Sequence, residues 1–392
     1  MSVLSKLFGD VLGFKIQTAN CYELHHTWNP SCNGAIRDAM WDGFSFSFRT
    51  YATLYIIAAF LSKRDIRKID WVTTFKDTFR STVFLMTNLA AYMWFMCRLR
   101  RLLGFSILPT MGLINGLLAS WLAILVESPK RRPLLSLYLT NLASETAYRQ
   151  LANHGYVRLL SNGQVILFGI GLSGLLYLFR RKQLGRNLSS LLSFALCLDN
   201  ANEELVNVER LRAVRNGYVQ RLLRWVLFMR TMRVKHHLCT HTHSCVSKSV
   251  EGSHCLLNRL LGKDTPQTQM LCGGFSGLAM LFYPNVSIAM YILWKFIEAF
   301  YFALVSEGYA RTIPYGDILL YTLSTGYVLW SVTIEPHAIR KGYWDFLSKL
   351  TGGKVALLNR RLYDVYGYRS STLFPDFAPE LNQKFISINP EA

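Results

Sequence analysis

Two stretches of this chain repeat one another at a constant offset, inside sequence that is almost free of charge. Gly155-Tyr156-x-Arg158 returns as Gly308-Tyr309-x-Arg311, Gly163 as Gly316, Tyr138 as Tyr291, Glu145 as Glu298 and Tyr148 as Tyr301. A duplicated apolar unit with a matched acid in each copy is the pattern of a membrane protein built from repeats. The uncharged runs agree. Thr265 to Trp294, Leu102 to Val126 and Leu159 to Phe179 each lack Asp, Glu, Lys and Arg throughout. A crossing takes about 18 to 20 apolar residues, and all three runs reach that length. Ser81 to Cys97 and Ile318 to Ile334 fall just short of it, and Thr50 to Ser62 falls well short. Together the runs predict about six to eight helices, several of them tilted or partial. Charged residues are only 17% of the chain, against about 25% in soluble domains.

The repeat reaches further, but unevenly. Gly112-x-x-x-Gly116 matches Gly273-x-x-x-Gly277 at a slightly larger offset, the first copy holding an extra Ser128-Pro-Lys-Arg-Arg-Pro133 loop. Cys97-Arg-Leu-Arg-Arg-Leu-Leu-Gly104 matches Cys255-Leu-Leu-Asn-Arg-Leu-Leu-Gly262, and His26-Thr-x-x-x-Ser-Cys32 loosely matches His241-Thr-His-Ser-Cys245. The stretch from Cys32 to Cys97 is far longer than the one from Cys245 to Cys255. The second copy therefore lacks a counterpart to the apolar runs near 46–62 and 81–97. The expected fold is all-α: a multi-pass helical membrane protein with an incomplete internal duplication. Five zones are expected: a Cys/His-containing head over 1–45, a first membrane helix set over 46–182, a basic amphipathic middle over 183–265, a second helix set over 266–335 and a polar tail over 336–392. The middle holds a predicted basic amphipathic helix from Glu203 to Val234, suited to a membrane interface or a partner.

The net charge is +19. Its clusters, such as Lys130-Arg131-Arg132 and Arg180-Arg181-Lys182, flank apolar runs, where they suit anionic lipid. No aromatic and basic recognition module accompanies them, so nucleic acid is not an expected partner. No cleavable signal peptide and no peroxisomal tripeptide address are visible. Asn187-Leu-Ser and Asn285-Val-Ser read as chance glycosylation matches.

Three constellations could carry chemistry. Glu145 and Glu298, each sharing a helix face with Tyr138 or Tyr291, are candidates for an intramembrane polar site at the repeat interface. Arg149 and Lys295 lie close enough in sequence to neutralise them locally instead. The small residues Gly112 and Gly116, and again Gly273 and Gly277, suit close helix packing in lipid. The cysteines Cys21, Cys32, Cys239 and Cys245, with neighbouring histidines, form a candidate Cys/His cluster. His237-x3-His241 has ligand-like spacing but no Cys-x2-Cys accompanies it, so no metal and no cofactor are expected. Nucleotide loops, nucleophile elbows and zincin motifs are missing from the sequence, and a catalytic role is not expected.

Several strings resemble a known family. Cys21-Tyr-Glu-Leu-His-His-Thr-Trp-Asn-Pro-Ser-Cys32 is similar to the N-terminal cysteine-rich signature of the transmembrane protein 135 family, also called peroxisomal membrane protein 52. Tyr55-Ile-Ile-Ala-Ala-Phe60, Tyr138 to Thr146, Tyr343-Trp-Asp-Phe-Leu347 and Asn359-Arg360 extend the likeness. Gly274 to Phe282 resembles, more loosely, the superfamily joining inner-mitochondrial-membrane translocase subunits to peroxisomal membrane protein 4. The resemblance implies a multi-pass protein of peroxisomal and mitochondrial membranes. It would act in mitochondrial fission–fusion balance, peroxisome organisation and lipid handling, without catalysis. The bilayer is the implied partner, together with the mitochondrial division machinery and its dynamin-related GTPase. The alternative is a transporter or channel for a lipid or small solute using Glu145 and Glu298.

Overall fold

The computed structural model describes residues 3–63, 69–158, 160–185, 188, 189, 192 and 266–386. The expected helix over Glu203–Val234, together with Asn187, Cys239 and Cys245, lies outside them. Among the described residues the fold is all-α, with one isolated antiparallel bridge between Gln17 and Ser106. The helices that matter below are α1 (Cys21–Leu24), α2 (Cys32–Lys63), α3 (Trp71–Leu103), α4 (Leu113–Val126), α5 (Arg132–Asn153), α6 (Gly163–Arg180), α7 (Pro266–Ser276), α8 (Val286–Ser306), α9 (Gly316–Ile334) and α10 (Lys341–Leu350). The head and first helix set do not part at residue 45, because α2 starts at Cys32 and runs straight through that position.

Local chemistry sets the helix ends. Asp70 caps α3, accepting from Thr73 N at 3.2 Å, and Gly104 ends it at φ 76°, its N–H reaching Arg100 O at 3.0 Å. Asn285 caps α8 by accepting from Ile288 N at 3.1 Å. That cap gives the Asn285-Val-Ser string a structural role. Pro133 stands in the first turn of α5, where a missing N–H costs nothing.

The chain forms two compact units, Met1–Arg158 with Pro314–Ala392, and Leu159–Ile313. In the first unit α2 packs on α3, α3 on α4, and α9 on both α4 and α5. Its core joins Phe84, Ala123, Ile124, Leu142, Tyr321 and Val328. In the second unit α6 packs on α7 and α8, with Leu172, Leu175 and Leu176 against Ile292 and Phe296. The division cuts across the chain order. The sequence copies run α4–α5–α6 and α7–α8–α9, yet α9 packs with α4 and α5 while α6 packs with α7 and α8. Each three-helix group thus takes its last helix from the other copy.

The turns that hand over these helices are built alike. Gly155 and Gly308 adopt φ 78° and 83°, and Tyr156 N and Tyr309 N reach back to Leu151 O at 2.9 Å and Leu304 O at 3.0 Å. Tyr148 OH donates to Arg158 O at 3.1 Å, and Tyr301 OH donates to Arg311 O at 2.9 Å. The residue before the next helix is left-handed in both: Asn162 at φ 61° and Tyr315 at φ 56°. Asn tolerates that conformation and Tyr does not.

The small-residue pairs sit where these helices meet. A Cβ on Gly116 would lie 3.0 Å from Gly326 Cα and O on α9. Gly112, at φ 151°, passes equally close to Trp330 Cα. In the second unit a Cβ on Gly273 would lie 2.7 Å from Ser173 Cα of α6, and one on Gly277 2.7 Å from Val165 O. Every one of these obstacles is backbone, so no rotamer change could relieve it.

Among the described residues two helices, α6 with 18 residues and α8 with 21, are long and apolar enough to cross a membrane. They measure about 27 and 32 Å against a hydrocarbon core of about 30 Å. Only 17% of the α8 window is buried within the chain, and Ile166, Ile170, Ile297, Phe300 and Phe302 point outward. An exposed apolar surface of this kind on adjacent helices suits contact with a membrane or with another protein. The apolar helix α4 has 14 residues. At about 21 Å it is too short to span alone.

Two substitutions test this packing in detergent-solubilised protein. Gly116→Leu is expected to lower the thermal midpoint, with a loss of about 1 to 3 kcal/mol or more. Gly342→Leu, with nothing within 4 Å of its Cβ position, is expected to leave it unchanged. Tyr315→Asn relieves a left-handed backbone at a side chain that is 77% exposed, and is expected to raise stability by about 1 kcal/mol.

Candidate functional site

The head is held by a dense set of polar contacts. Asn20 and Glu23 form a reciprocal cap around the single turn of α1, with Glu23 N donating to Asn20 Oδ1 at 2.9 Å and Asn20 N to Glu23 Oε2 at 2.5 Å. That turn presents Cys21 at its start and leads directly into His25 and His26. The two adjacent histidines then part. His25 is buried, and its Nδ1 lies 2.8 Å from Tyr363 OH. Because Tyr363 OH donates to Leu24 O at 2.9 Å, it is left to accept, so Nδ1 of His25 carries the proton. Burial, with Coulombic pressure from His26 and Arg100, pushes the pKa of His25 down to about 3, and the ring is neutral.

His26 turns the other way. Its Nδ1 lies 2.7 Å from Asn29 O, and its Nε2 is buried without an oxygen or nitrogen partner. A ring nitrogen of His26 and the sulfurs of Cys21, Cys32 and Cys97 lie within 4.8 Å of one another, and Nε2 is the one left free by the Asn29 contact. Cys32 opens α2 and Cys97 is a buried residue near the end of α3. Burial lowers the pKa of His26, but hydrogen bonding to the Cys21 and Cys32 sulfurs, and to Asn29 O, outweighs it and lifts the value to about 10. Hydrogen bonds from Cys21 and Cys97, and then His26, hold the Cys32 thiol far below its ordinary range. Cys32 is thus favoured as a thiolate beside His26, whereas hydrogen bonds with Cys21 and Cys32, and then burial, push the Cys97 thiol well above its ordinary range.

The sequence placed Cys21 and Cys32 with the neighbouring His25 and His26 in a candidate cluster that also drew in Cys239 and Cys245, which lie outside the described residues, and it did not single out Cys97. The signal was present in the repeat comparison, which aligned His26, Cys32 and Cys97 with His241, Cys245 and Cys255. The long interval between Cys32 and Cys97 is taken up by α2 and most of α3, two helices that return the chain to its starting end.

The carboxylates lie elsewhere, and each is answered within its own unit. Glu145 is buried, bonded by Arg149 Nη2 at 2.7 Å and faced by Arg340 Nη1 at 3.6 Å. Glu298 takes Lys295 Nζ at 2.6 Å. Tyr138 and Tyr291, assigned to the same polar face from spacing, are both exposed. Along α5 the interval of about two turns from Tyr138 to Glu145 therefore leads from an exposed ring to a buried carboxylate.

Two acids that spacing did not single out are buried more completely. Glu127 accepts from Arg131 Nη1 at 3.2 Å and from Ser81 Oγ at 3.1 Å. Arg131 also donates to Ser81 and Tyr55, and its guanidinium stands over the Tyr51 and Tyr55 rings. Glu335 accepts from Asn153 Nδ2 at 3.0 Å and meets His154 and His337, each at 3.3 Å. Burial raises the pKa of Glu335, yet hydrogen bonds from His337, Asn153 and His154 prevail and the group is held below its ordinary value.

Arginines also close helix ends. Arg80 Nε donates to Val126 O at 2.9 Å and Arg132 Nη2 to Leu125 O at 3.1 Å, capping α4. The fully buried Arg360 donates to Val332 O and Thr333 O at 3.1 and 2.8 Å and to Val355 O at 3.0 Å, capping α9. Burial pushes its pKa down to about 10, so it stays cationic. Helix C-termini present unpaired carbonyls and partial negative charge, and these cations answer both.

A double-mutant cycle tests the Glu127–Arg131 ion pair. Arg131→Met leaves Glu127 buried without its cation and is expected to cost about 3 kcal/mol or more. Adding Glu127→Gln should recover part of that loss, giving a coupling above about 1 kcal/mol by chemical or thermal unfolding in detergent.

No solved structure matches this chain. Residues 18–152 match the model of the N-terminal cysteine-rich region of transmembrane protein 135. The matched stretch begins just before Cys21, ends within α5 and contains all four residues of the Cys/His cluster. Over that stretch the chain is similar to the transmembrane protein 135 family, and the apolar helices α6 and α8 are consistent with a membrane protein.

Proposed function

We propose that this chain is a multi-pass protein of peroxisomal and mitochondrial membranes that regulates fission–fusion balance, peroxisome organisation and lipid handling without catalysis of its own. The match of residues 18–152 to the family model carries the reading. The outward apolar surface of α6 and α8 supports the bilayer as its medium. The incomplete duplication supplies two helix groups that exchange their last helices, each closely packed within itself. The local neutralisation of Glu145 and Glu298 favours this structural use over a solute path, since a transport carboxylate must be free to change partners. The basic face of the middle segment, with its succession of arginines between Glu203 and Val234, would meet the dynamin-related GTPase of mitochondrial division or anionic lipid.

Imaging of the tagged full chain against peroxisomal and mitochondrial markers, with carbonate extraction, tests the placement. Co-localisation with both organelles and retention in the membrane pellet are expected; a soluble pool sinks the membrane reading. In cells lacking the protein, the Glu145→Gln/Glu298→Gln double variant should restore mitochondrial length as fully as the wild type. Deletion of 203–234 should not. The reverse pattern, with loss of a reconstituted flux in the double variant, establishes transport instead.

A further inference from the structure

We propose that Cys21, His26, Cys32 and Cys97 form a structural zinc site that fastens the head to the ends of α2 and α3. The donor set is three sulfurs and one imidazole nitrogen, one of the standard sets for closed tetrahedral zinc. Zinc–sulfur bonds of about 2.3 Å give a tetrahedral edge of about 3.8 Å. The four donors already lie within 4.8 Å of one another, so only a small closure separates them from that geometry.

The surroundings are those of a ligand set. Metal-bound imidazoles almost always give their other N–H to a carbonyl or carboxylate, which fixes the tautomer and aims the free lone pair. His26 does this: Nδ1 is held at Asn29 O, and the buried Nε2 has no oxygen or nitrogen to bond. Asn29 is itself fixed, with Nδ2 donating to Asp38 Oδ2 at 2.9 Å and Oδ1 accepting from Ser31 N at 2.9 Å. His25 is engaged with Tyr363 and does not compete for the metal. Three thiolates and one zinc ion carry a net charge of −1. Arg100 supplies the compensating cation; it acts electrostatically on Cys21 and is tied to the head through Ala19 O at 2.9 Å. Four protein donors leave no open position for a substrate, so the ion is structural.

A disulfide explains the group less well. Three sulfurs cannot all pair with one another, and oxidising any two would strand the third thiol beside His26. The donor set would then be split, with one sulfur and one nitrogen left out of the bond. Zinc satisfies all four donors together, and it cross-links residues 21 and 97 across two long helices.

Metal analysis and thiol accessibility of the full-length chain, purified in detergent, decide the matter. His26→Ala and Cys97→Ser are each expected to lower zinc content by about one ion per chain, while Cys245→Ser leaves that ion in place. Cobalt(II) added to metal-stripped wild-type chain should give the intense visible bands of a tetrahedral site and a sulfur-to-cobalt charge-transfer band. In case the variants do not fold, the wild type is decisive alone. Cys21, Cys32 and Cys97 should resist alkylation together and become reactive together when a zinc chelator is added. Free alkylation of the three thiols before chelation, a disulfide among them in the isolated chain, or zinc content indifferent to both substitutions would overturn the site.

Discussion

Backbone-to-backbone approach at glycine is the contact on which both helix groups depend. A helix that must be received from elsewhere in the chain can seat deeply only where its host offers no side chains. Gly112 and Gly116 make that seat for α9, and Gly273 with Gly277 makes it for α6. In lipid, where apolar side chains gain little from leaving the solvent, such dispersion contacts are a main source of helix affinity. The exchange of last helices between the two groups therefore rests on four small residues and on two left-handed turns, at Gly155 and Gly308, that release each chain segment toward the opposite group.

The polar interior follows from the same geometry. Short helices such as α4 end with carbonyls that lack helical partners and need donors. Arg80, Arg132 and Arg360 provide them. Part of the strongly basic composition thus acts inward. Lys130-Arg131-Arg132 looks from the sequence like a lipid-facing patch, but Arg131 turns in to Glu127 and Arg132 caps α4. Composition gives the sign and the approximate location of a charge; only the fold tells whether it meets a headgroup or a carbonyl.

Much of the helical plan was legible. Uncharged runs located the cores of α4, α6 and α9, and the constant offset between the copies located two turns whose hydrogen bonds agree closely. What stayed hidden was pairing at long range. A repeat predicts equivalent pieces but not that α6 and α9 change places. Tyr138 and Glu145 share a helical spacing, yet the face they define is wide enough for one to be exposed and the other buried. Cys97 has no local partner and looks like an ordinary apolar-segment cysteine until α2 and α3 bring it beside Cys21. Glu127 and Glu335, at helix ends, carry no periodic signal at all.

The exchange of helices has a consequence for the order in which the protein assembles. Synthesis runs from the head onward, and α4 and α5 emerge long before α9. The second group, α6 with α7 and α8, has all its members once Ser306 has been made. The first group must hold an open groove beside Gly116 until α9 follows. The head waits longer still, since Leu24 O receives Asn359 N and Tyr363 OH, and Asn20 reaches Phe385 O. The earliest-made part of the chain is thus among the last to be completed, and the exposed groove is the assembly intermediate most in need of shelter.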